Sequence, residues 1–311
     1  MRILVTGALG FVGGHAIRDL REHGHTVLPS EAPALAEGAE GVLPCDITCP
    51  TDLAQLVTDT RPDACLHLAG MAFVPASWEN PSRVFEINIG GTLNLLEAFR
   101  QHHPEARLLV VTSSEVYGRS STPAPLDEDA TLTPENPYAV SKLSADLSAL
   151  LYTRQYGMHV MTARPHNHIG PGQSERFVMT AFATQLAAMA DHSTPSTLRV
   201  GNLEALRDFT DVRDVARAYR LLLEQGHAGL AYNIASGHMI SIRDMLDRLC
   251  RVAGVQPQIE IDPERFRPTD QPPALDTSRI REHTGWIPEI PMDQTLQDLF
   301  DEAVQRREVQ G

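Results

Sequence analysis

Arg2-Ile3-Leu4-Val5-Thr6-Gly7-Ala8-Leu9-Gly10-Phe11-Val12-Gly13, near the head of a 311-residue chain, is the stretch that decides the fold class. Residues 2 to 6 are an apolar, β-branched run stopped by glycine, the pattern of a short buried strand. Glycines follow at 7, 10 and 13. The spacing is Gly-x-x-Gly-x-x-Gly rather than Gly-x-Gly-x-x-Gly, yet it meets the same physical needs. Gly7 permits a tight turn, Gly10 lets backbone approach a pyrophosphate, and Gly13 lets helix and strand pack closely. The helix that follows has its N-terminus facing the phosphates. It runs to about His23 and stops at Gly24.

Working outward, the alternation continues. Thr26–Leu28, Gly41–Cys45, Ala64–Leu68, Leu108–Thr112 and His159–Ala163 read as strands. Thr51–Thr60, Asn88–Arg100 and Tyr138–Tyr156 read as helices. Such a βαβ series predicts a Rossmann-type α/β fold, a doubly wound parallel sheet with helices on both faces. Arg119–Pro137 reads as an ordered surface loop. After Arg164-Pro165, proline and glycine become frequent and the strands shorten, which suggests a smaller mixed C-terminal substrate-binding lobe. A helix from about Val212 to Glu224 and the strand Ala231–Ile234 are expected to return to the first domain. The expected division is 1–165 plus about 210–236 for the dinucleotide-binding domain, and 166–209 plus 237–311 for the substrate lobe.

Bulk properties fit a soluble enzyme. The formal charge is 26 − 40 = −14, which argues against a nucleic-acid or anionic-membrane partner. Hydrophobic residues make up 42%, enough for one large or two modest cores. The first strand starts at residue 2, so no signal peptide is expected, and no apolar run nears the ~20 residues of a membrane span. Of the four cysteines only Cys45 and Cys49 are close in sequence, without a matching partner pair, so no metal site is expected. Small buried thiols in a reducing cytoplasm are the better reading.

The chemistry-bearing stretch is Asn136-Pro137-Tyr138-Ala139-Val140-Ser141-Lys142. Asn136 can cap a helix and Pro137 suits its first turn. Tyr138 and Lys142 then share a helical face. A lysine cation beside a phenol favours the phenolate and is expected to lower the tyrosine pKa. The pair suits proton transfer to or from a hydroxyl or carbonyl oxygen. Ser113 falls at the C-terminal end of a parallel strand, where such sheets place ligand-binding groups. Its hydroxyl can hold a substrate oxygen, or simply cap a turn.

Taken together, Thr6-Gly7-x-x-Gly10-Phe11-x-Gly13, Leu68-Ala69, Ser113 and Tyr138-x-x-x-Lys142 resemble the extended short-chain dehydrogenases/reductases acting on nucleotide sugars. The resemblance covers nearly the whole chain. It sharpens at His166-Asn167-His168-Ile169-Gly170-Pro171-Gly172-Gln173 with Phe177-Val178, and at Val200-Gly201-Asn202-Leu203-Glu204-Ala205-Leu206-Arg207-Asp208-Phe209. Both look like the GDP-4-keto-6-deoxy-D-mannose reductases. The resemblance implies reduction of a GDP-linked 4-keto sugar with NAD(P)H, with Tyr138 as proton donor, Lys142 supporting it and Ser113 polarising the carbonyl. It implies cofactor contacts from Gly7, Gly10, Phe11, Val12, Gly13, Glu31, Asp46, Ile47, Leu68, Ala69, Gly70, Tyr138, Lys142 and Pro165. It implies substrate contacts from Ser77, Ser114, Glu115, Asn167, Val178 and Asn202, with Arg207 and Arg267 on the diphosphate, where a guanidinium offers a bidentate fork.

Some positions carry two readings. In the related 4,6-dehydratases a Glu at the place of Glu115 is an acid–base group, which keeps a dehydratase or a nucleotide-sugar epimerase as the alternative. Glu31, about 18 residues after Gly13, would bind ribose hydroxyls and repel a 2′-phosphate, favouring NAD(H), with NADP(H) possible. Arg207-Asp208 also reads as a local ion pair, and His166 and His168 as loop packing. The family resemblance implies a homodimer through the Tyr138 helix. Leu143, Leu147, Leu150 and Leu151 suit such an interface or burial within one chain.

Overall fold

The computed structural model describes residues 1–120, 124–190, 197–263 and 272–310. In chain order the strands are β1 (Arg2–Thr6), β2 (Thr26–Glu31), β3 (Leu43–Pro44), β4 (Ala64–His67), β5 (Arg107–Val111), β6 (His159–Pro165), β7 (Asn167–Ile169), β8 (Thr197–Val200), β9 (Leu206–Asp211), β10 (Ala231–Ile234), β11 (Met239–Ser241) and β12 (Gln258–Ile261). Seven form one sheet in the order β10-β6-β5-β4-β1-β2-β3, every pairing parallel. The order reverses between β1 and β4, the crevice where doubly wound sheets bind their ligands.

Two apolar layers clamp this sheet. Ile3, Val5, Leu66 and Met161 pack with Leu20, Tyr219 and Leu222 of the helices Phe11–Glu22 and Val212–Gln225. On the other face Leu4, Leu108 and Val160 pack with Leu53, Leu96 and Ala149 of Pro50–Thr60, Thr92–His102 and Pro137–Tyr156. Each fully buried aliphatic side chain contributes about 1.5–3 kcal/mol of transfer free energy. A third cluster joins Met179, Leu186, Leu246 and Leu299 of the helices Val178–Ala190, Ile242–Ala253 and Met292–Gln310 around β8 and β9. At Pro165 the chain leaves the large sheet and, past His166, enters a three-stranded sheet ordered β11-β9-β7. Ile280 and Trp286, although late in sequence, pack into the core of the large sheet.

Differences from the sequence reading are local. β2 runs on through Pro29 to Glu31. β3 is only two residues long and pairs with β2 at Ser30 and Glu31 alone, so Pro29 sits where the far side of β2 has no partner. The expected helix from Asn88 begins as a π turn, Glu86–Gly91, before the regular helix Thr92–His102. The Gly90-Gly91 pair and the inward Asn88 account for the distortion. The expected surface loop after Arg119 docks inward in its described part. Leu126 bridges to Leu275 and Glu128 is buried.

Candidate active site

At the C-terminal ends of β1, β2 and β4 lies a cavity of about 480 Å³, lined among others by Gly7, Gly10, Glu31, Asp46, Ile47 and Ala69. Its floor needs glycine for two separate reasons. Gly7 has φ +70°, and a Cβ there would stand 2.7 Å from the Ala69 nitrogen. A Cβ on Gly13 would stand 2.4 Å from the Gly7 oxygen and 2.5 Å from the Ala8 oxygen. The turn is thereby pulled against the helix start. Gly10 is the N-cap of that helix, no side chain caps it, and its first turn carries no acid. The positive helix end is left to an anionic ligand. A cradle of this shape fits a dinucleotide cofactor.

Glu31 ends β2 with both oxygens engaged: Oε2 accepts from Leu9 N at 3.1 Å and Oε1 from Ala32 N at 3.0 Å. Arg83 also lines the cavity and pairs with Glu86 at 2.7 Å. The Thr48 hydroxyl and backbone N–H both donate to Asp46 and hold its carboxyl below the usual range. Leu68 and Gly70 complete the rim. Phe11, Val12, Gly13 and Pro165 are not among the residues that line it. Phe11 instead stacks on His168, with centroids 6.0 Å apart, and its neighbour His15 contacts the Pro171 oxygen at 2.8 Å.

Ser113, Glu115, Tyr138 and Lys142 come together beside this cleft. Asn136 caps the helix Pro137–Tyr156 by accepting from Ala139 N at 2.8 Å, and donates through Nδ2 to Glu115 Oε2 at 3.1 Å. The Ser113 hydroxyl faces the Tyr138 hydroxyl and favours its ionised form. Ser113 also accepts from Glu115 N at 3.2 Å, so it is both turn cap and Tyr138 partner. Lys142 Nζ donates to the Val111 oxygen at 3.0 Å.

The electrostatics reverse one expectation. Burial pushes the Tyr138 phenol up to about 12, the Ser113 hydrogen bond opposes this, and Glu115 adds to it. Burial alone brings Lys142 down to about 8. Lys142 therefore does not lower the tyrosine here. Its ammonium is spent on a strand carbonyl, and desolvation dominates both groups. Tyr138 is a neutral phenol over the whole physiological range.

Sequence reasoning missed Asn88. It is buried in the π turn, accepts from Met71 N at 2.8 Å, and donates to the Met71 oxygen and to Ser141 Oγ at 3.0 and 2.9 Å. It ties the loop after β4 to the Tyr138 helix. Only the Gly90-Gly91 pair hints at it in sequence. Also missed was His67, whose ring contacts Thr6 at 2.7 Å and Thr92 at 3.2 Å and which burial depresses to about 3.

The expected substrate residues are not among those lining the cavity. Ser77 is buried and donates back to the Val74 oxygen of its own helix. Ser114 is buried. Asn167 contacts the ring of His166, and Asn202 accepts from Glu204 N in a local turn. Val178 is exposed at the start of its helix. Arg207 donates to the Leu206 oxygen. Asp208 instead accepts from Ser236 N, Gly237 N and His238 N, and so serves the turn after β10. His166 and His168 pack locally, and among the described residues no three metal-ligating side chains cluster. Arg267 lies outside the described residues.

With this geometry in place, comparison with known proteins is informative. The family model described as GDP-mannose 4,6 dehydratase matches residues 4–299. The chain belongs to that family. It is 38% identical over 307 residues to GDP-6-deoxy-D-mannose reductase of Pseudomonas aeruginosa, covering 97% of this chain and 96% of that one. The solved structure of RMD from Pseudomonas aeruginosa complexed with NADPH superposes with a TM-score of 0.89 at 37% identity, over 98% of this chain and 99% of that one. The UDP-glucose 4-epimerase of Thermus thermophilus, solved with NAD, gives 0.83 at 27% identity, over 97% and 99%. Among the described residues no helix is long and apolar enough to cross a membrane.

Proposed function

We propose that the protein reduces the 4-keto group of GDP-4-keto-6-deoxy-D-mannose to GDP-D-rhamnose with a nicotinamide dinucleotide. The observation that carries this is the buried, neutral Tyr138 facing Ser113 beside a glycine cradle. The bound cofactor supplies hydride to the ketone carbon. Ser113 holds and polarises the ketone oxygen. Tyr138 then donates its proton to that oxygen as charge develops there, a task for which a phenol, not a phenolate, is required. Lys142 keeps positive charge near the developing anion and orients the cofactor ribose. Gly7, Gly10 and Gly13 shape the pyrophosphate seat, Asp46 and Ile47 face the adenine end, and Glu31 favours NADH by repelling a 2′-phosphate. Asn167, Asn202, Arg207 and Arg267 serve the sugar and diphosphate.

The relative at 38% identity supports the reductase reading. Glu115, aimed by Asn136 beside Tyr138, favours a 4,6-dehydratase as the second reading. One assay separates them. Purified protein oxidises NADH when given GDP-4-keto-6-deoxy-D-mannose if it is the reductase. Conversion of GDP-mannose to a keto sugar without that oxidation would establish the dehydratase.

The same reading places the enzyme in the cytoplasm, as a homodimer through the Tyr138 helix. Leu147 and Leu151 are each 49% exposed on it, while Leu143 and Leu150 are half-buried. Trp78, 65% exposed, sits on a helix packed alongside. On this reading residues 1–165 and about 210–236 hold the cofactor and most of the remainder the sugar nucleotide, although Ile280 and Trp286 pack with the first domain.

A further inference from the structure

The face of the helix Pro137–Tyr156 that carries Tyr138 and Lys142 continues one turn to Asp146. All three side chains are buried, and Asp146 is fully so. They grip three successive residues at the end of β5. Lys142 Nζ donates to the Val111 oxygen at 3.0 Å, the Thr112 hydroxyl is shared between Asp146 Oδ1 at 3.1 Å and the Ala163 oxygen at 3.0 Å, and Ser113 faces the Tyr138 hydroxyl. Asp146 is itself fixed from β6. Arg164 donates to its two oxygens through Nε at 3.2 Å and Nη2 at 2.6 Å. The other end of that guanidinium donates to Tyr117 Oη at 3.0 Å and to the Glu128 oxygen at 2.9 Å. Tyr117 in turn donates to Asn233 Oδ1 on β10 at 2.7 Å.

A buried ion pair is a poor source of net stability, because desolvation offsets most of its attraction and an apolar pair packs as well. What a two-pronged Arg–carboxylate contact adds is direction. Here that direction runs along the helix axis and across the strand end. We propose that Asp146, held by Arg164, is a positioning residue. It sets the register of the Tyr138–Lys142 helix over the strand end bearing Ser113, through its bond to Thr112. A slide of one ångström along that contact moves the phenol out of donating reach, and displacements of that size cost on the order of 100-fold in rate.

Thr112→Val tests this cleanly. The valine is isosteric, the Ala163 oxygen keeps its bond from residue 112 N, and Asp146 keeps Arg164, so no buried group is stranded. The inference predicts kcat reduced tenfold or more and the pH–kcat profile displaced. Asp146→Asn should do the same more severely, and should it fail to fold, Thr112→Val still decides. The kinetic readout rests on the reductase reading. A second readout does not: with tyrosines labelled with ¹³C at Cζ, the Tyr138 signal, assigned by its loss in Tyr138→Phe, should move in Thr112→Val while that of Tyr152 stays. Wild-type kcat and pH profile, or an unmoved Tyr138 signal, would overturn the proposal. A wild-type protein inactive on the keto sugar would sink the proposed reaction and leave the Tyr138 signal to judge the register.

Discussion

Gly13 and Gly14 are neighbours in sequence and opposites in the structure, which makes them a paired test of the cofactor cradle. A Cβ on Gly13 would lie 2.4 Å from the Gly7 oxygen, 2.5 Å from the Ala8 oxygen and 2.7 Å from the Ala8 carbonyl carbon. Ordinary carbon–oxygen contact begins near ~3.2 Å, so Gly13→Ala must push the turn away by roughly 0.8 Å, backbone against backbone. Overpacking of this kind costs about 1–3 kcal/mol. On the proposed reading the turn is the pyrophosphate seat, so part of the strain is relieved by moving it, and coenzyme affinity suffers. At about 1.4 kcal/mol per tenfold, the full strain corresponds to a Kd raised roughly 5- to 150-fold. A Cβ on Gly14, by contrast, meets nothing within 4 Å. Gly14 lies inside the helix Phe11–Glu22, so Gly14→Ala should stabilise the protein by about 0.4–1 kcal/mol through the unfolded chain and leave coenzyme binding alone. Titration calorimetry with NADH gives the affinities, and urea unfolding followed by circular dichroism gives the stabilities. Equal coenzyme affinity and equal stability in Gly13→Ala and the parent would refute the reasoning, whatever Gly14→Ala does.

Tyr138→Phe should lower kcat by about 10²–10⁴-fold with coenzyme Kd nearly unchanged, a range set by the usual worth of a general acid; a parent-like rate in a keto-sugar assay removes Tyr138 from the mechanism. Lys142, brought down to about 8 by burial, loses its charge as pH rises through that value, so kcat/KM for the coenzyme should fall above pH about 8. Because the unfolded lysine titrates near its ordinary 10.5, the unfolded chain binds the extra proton between about 8 and 10.5. The contribution of this group to stability therefore rises with pH across that window and is unfavourable below it; urea midpoints compared with Lys142→Met would expose the difference. Glu31→Gln removes the charge while its amide oxygen still accepts one of the two loop N–H groups, and should raise the NADPH-to-NADH preference roughly tenfold, equivalent to about 1.4 kcal/mol; steady-state kinetics with both coenzymes measures it. Asn136→Ala should cost about 1 kcal/mol as a lost N-cap; a thermal-unfolding midpoint equal to the parent's would contradict the capping role.

Much of the site was legible because it is local. β1, the three glycines and the start of the helix behind them occupy twelve consecutive residues, and Tyr138 and Lys142 are one helical turn apart. Their spacing alone dictates shared turns and faces. The second lobe was only sketched, although parts of it signal clearly. Ser241 accepts from Asp244 N at the start of the helix Ile242–Ala253, an N-cap the sequence reading did not pick out. The partners of buried charges were not legible. Arg207-Asp208 suggested a neighbour pair, yet successive strand residues face opposite ways, and Asp208 turns to the 236–238 backbone.

By itself the sequence determined the doubly wound sheet, the glycine turn and the pairing of Tyr138 with Lys142, since strand and helix periodicity and glycine sterics act over a few residues. Only the tertiary structure decided the state of that pair. Packing helix Pro137–Tyr156 against β5 buries both groups and binds Lys142 to a strand carbonyl, so the phenol rises where spacing alone suggested it would fall. It likewise brought Thr112, Asp146 and Arg164 into one contact, and Asn88 onto the loop after β4. Desolvation and hydrogen bonding depend on what lies across the chain, and no local pattern records which distant residue that will be.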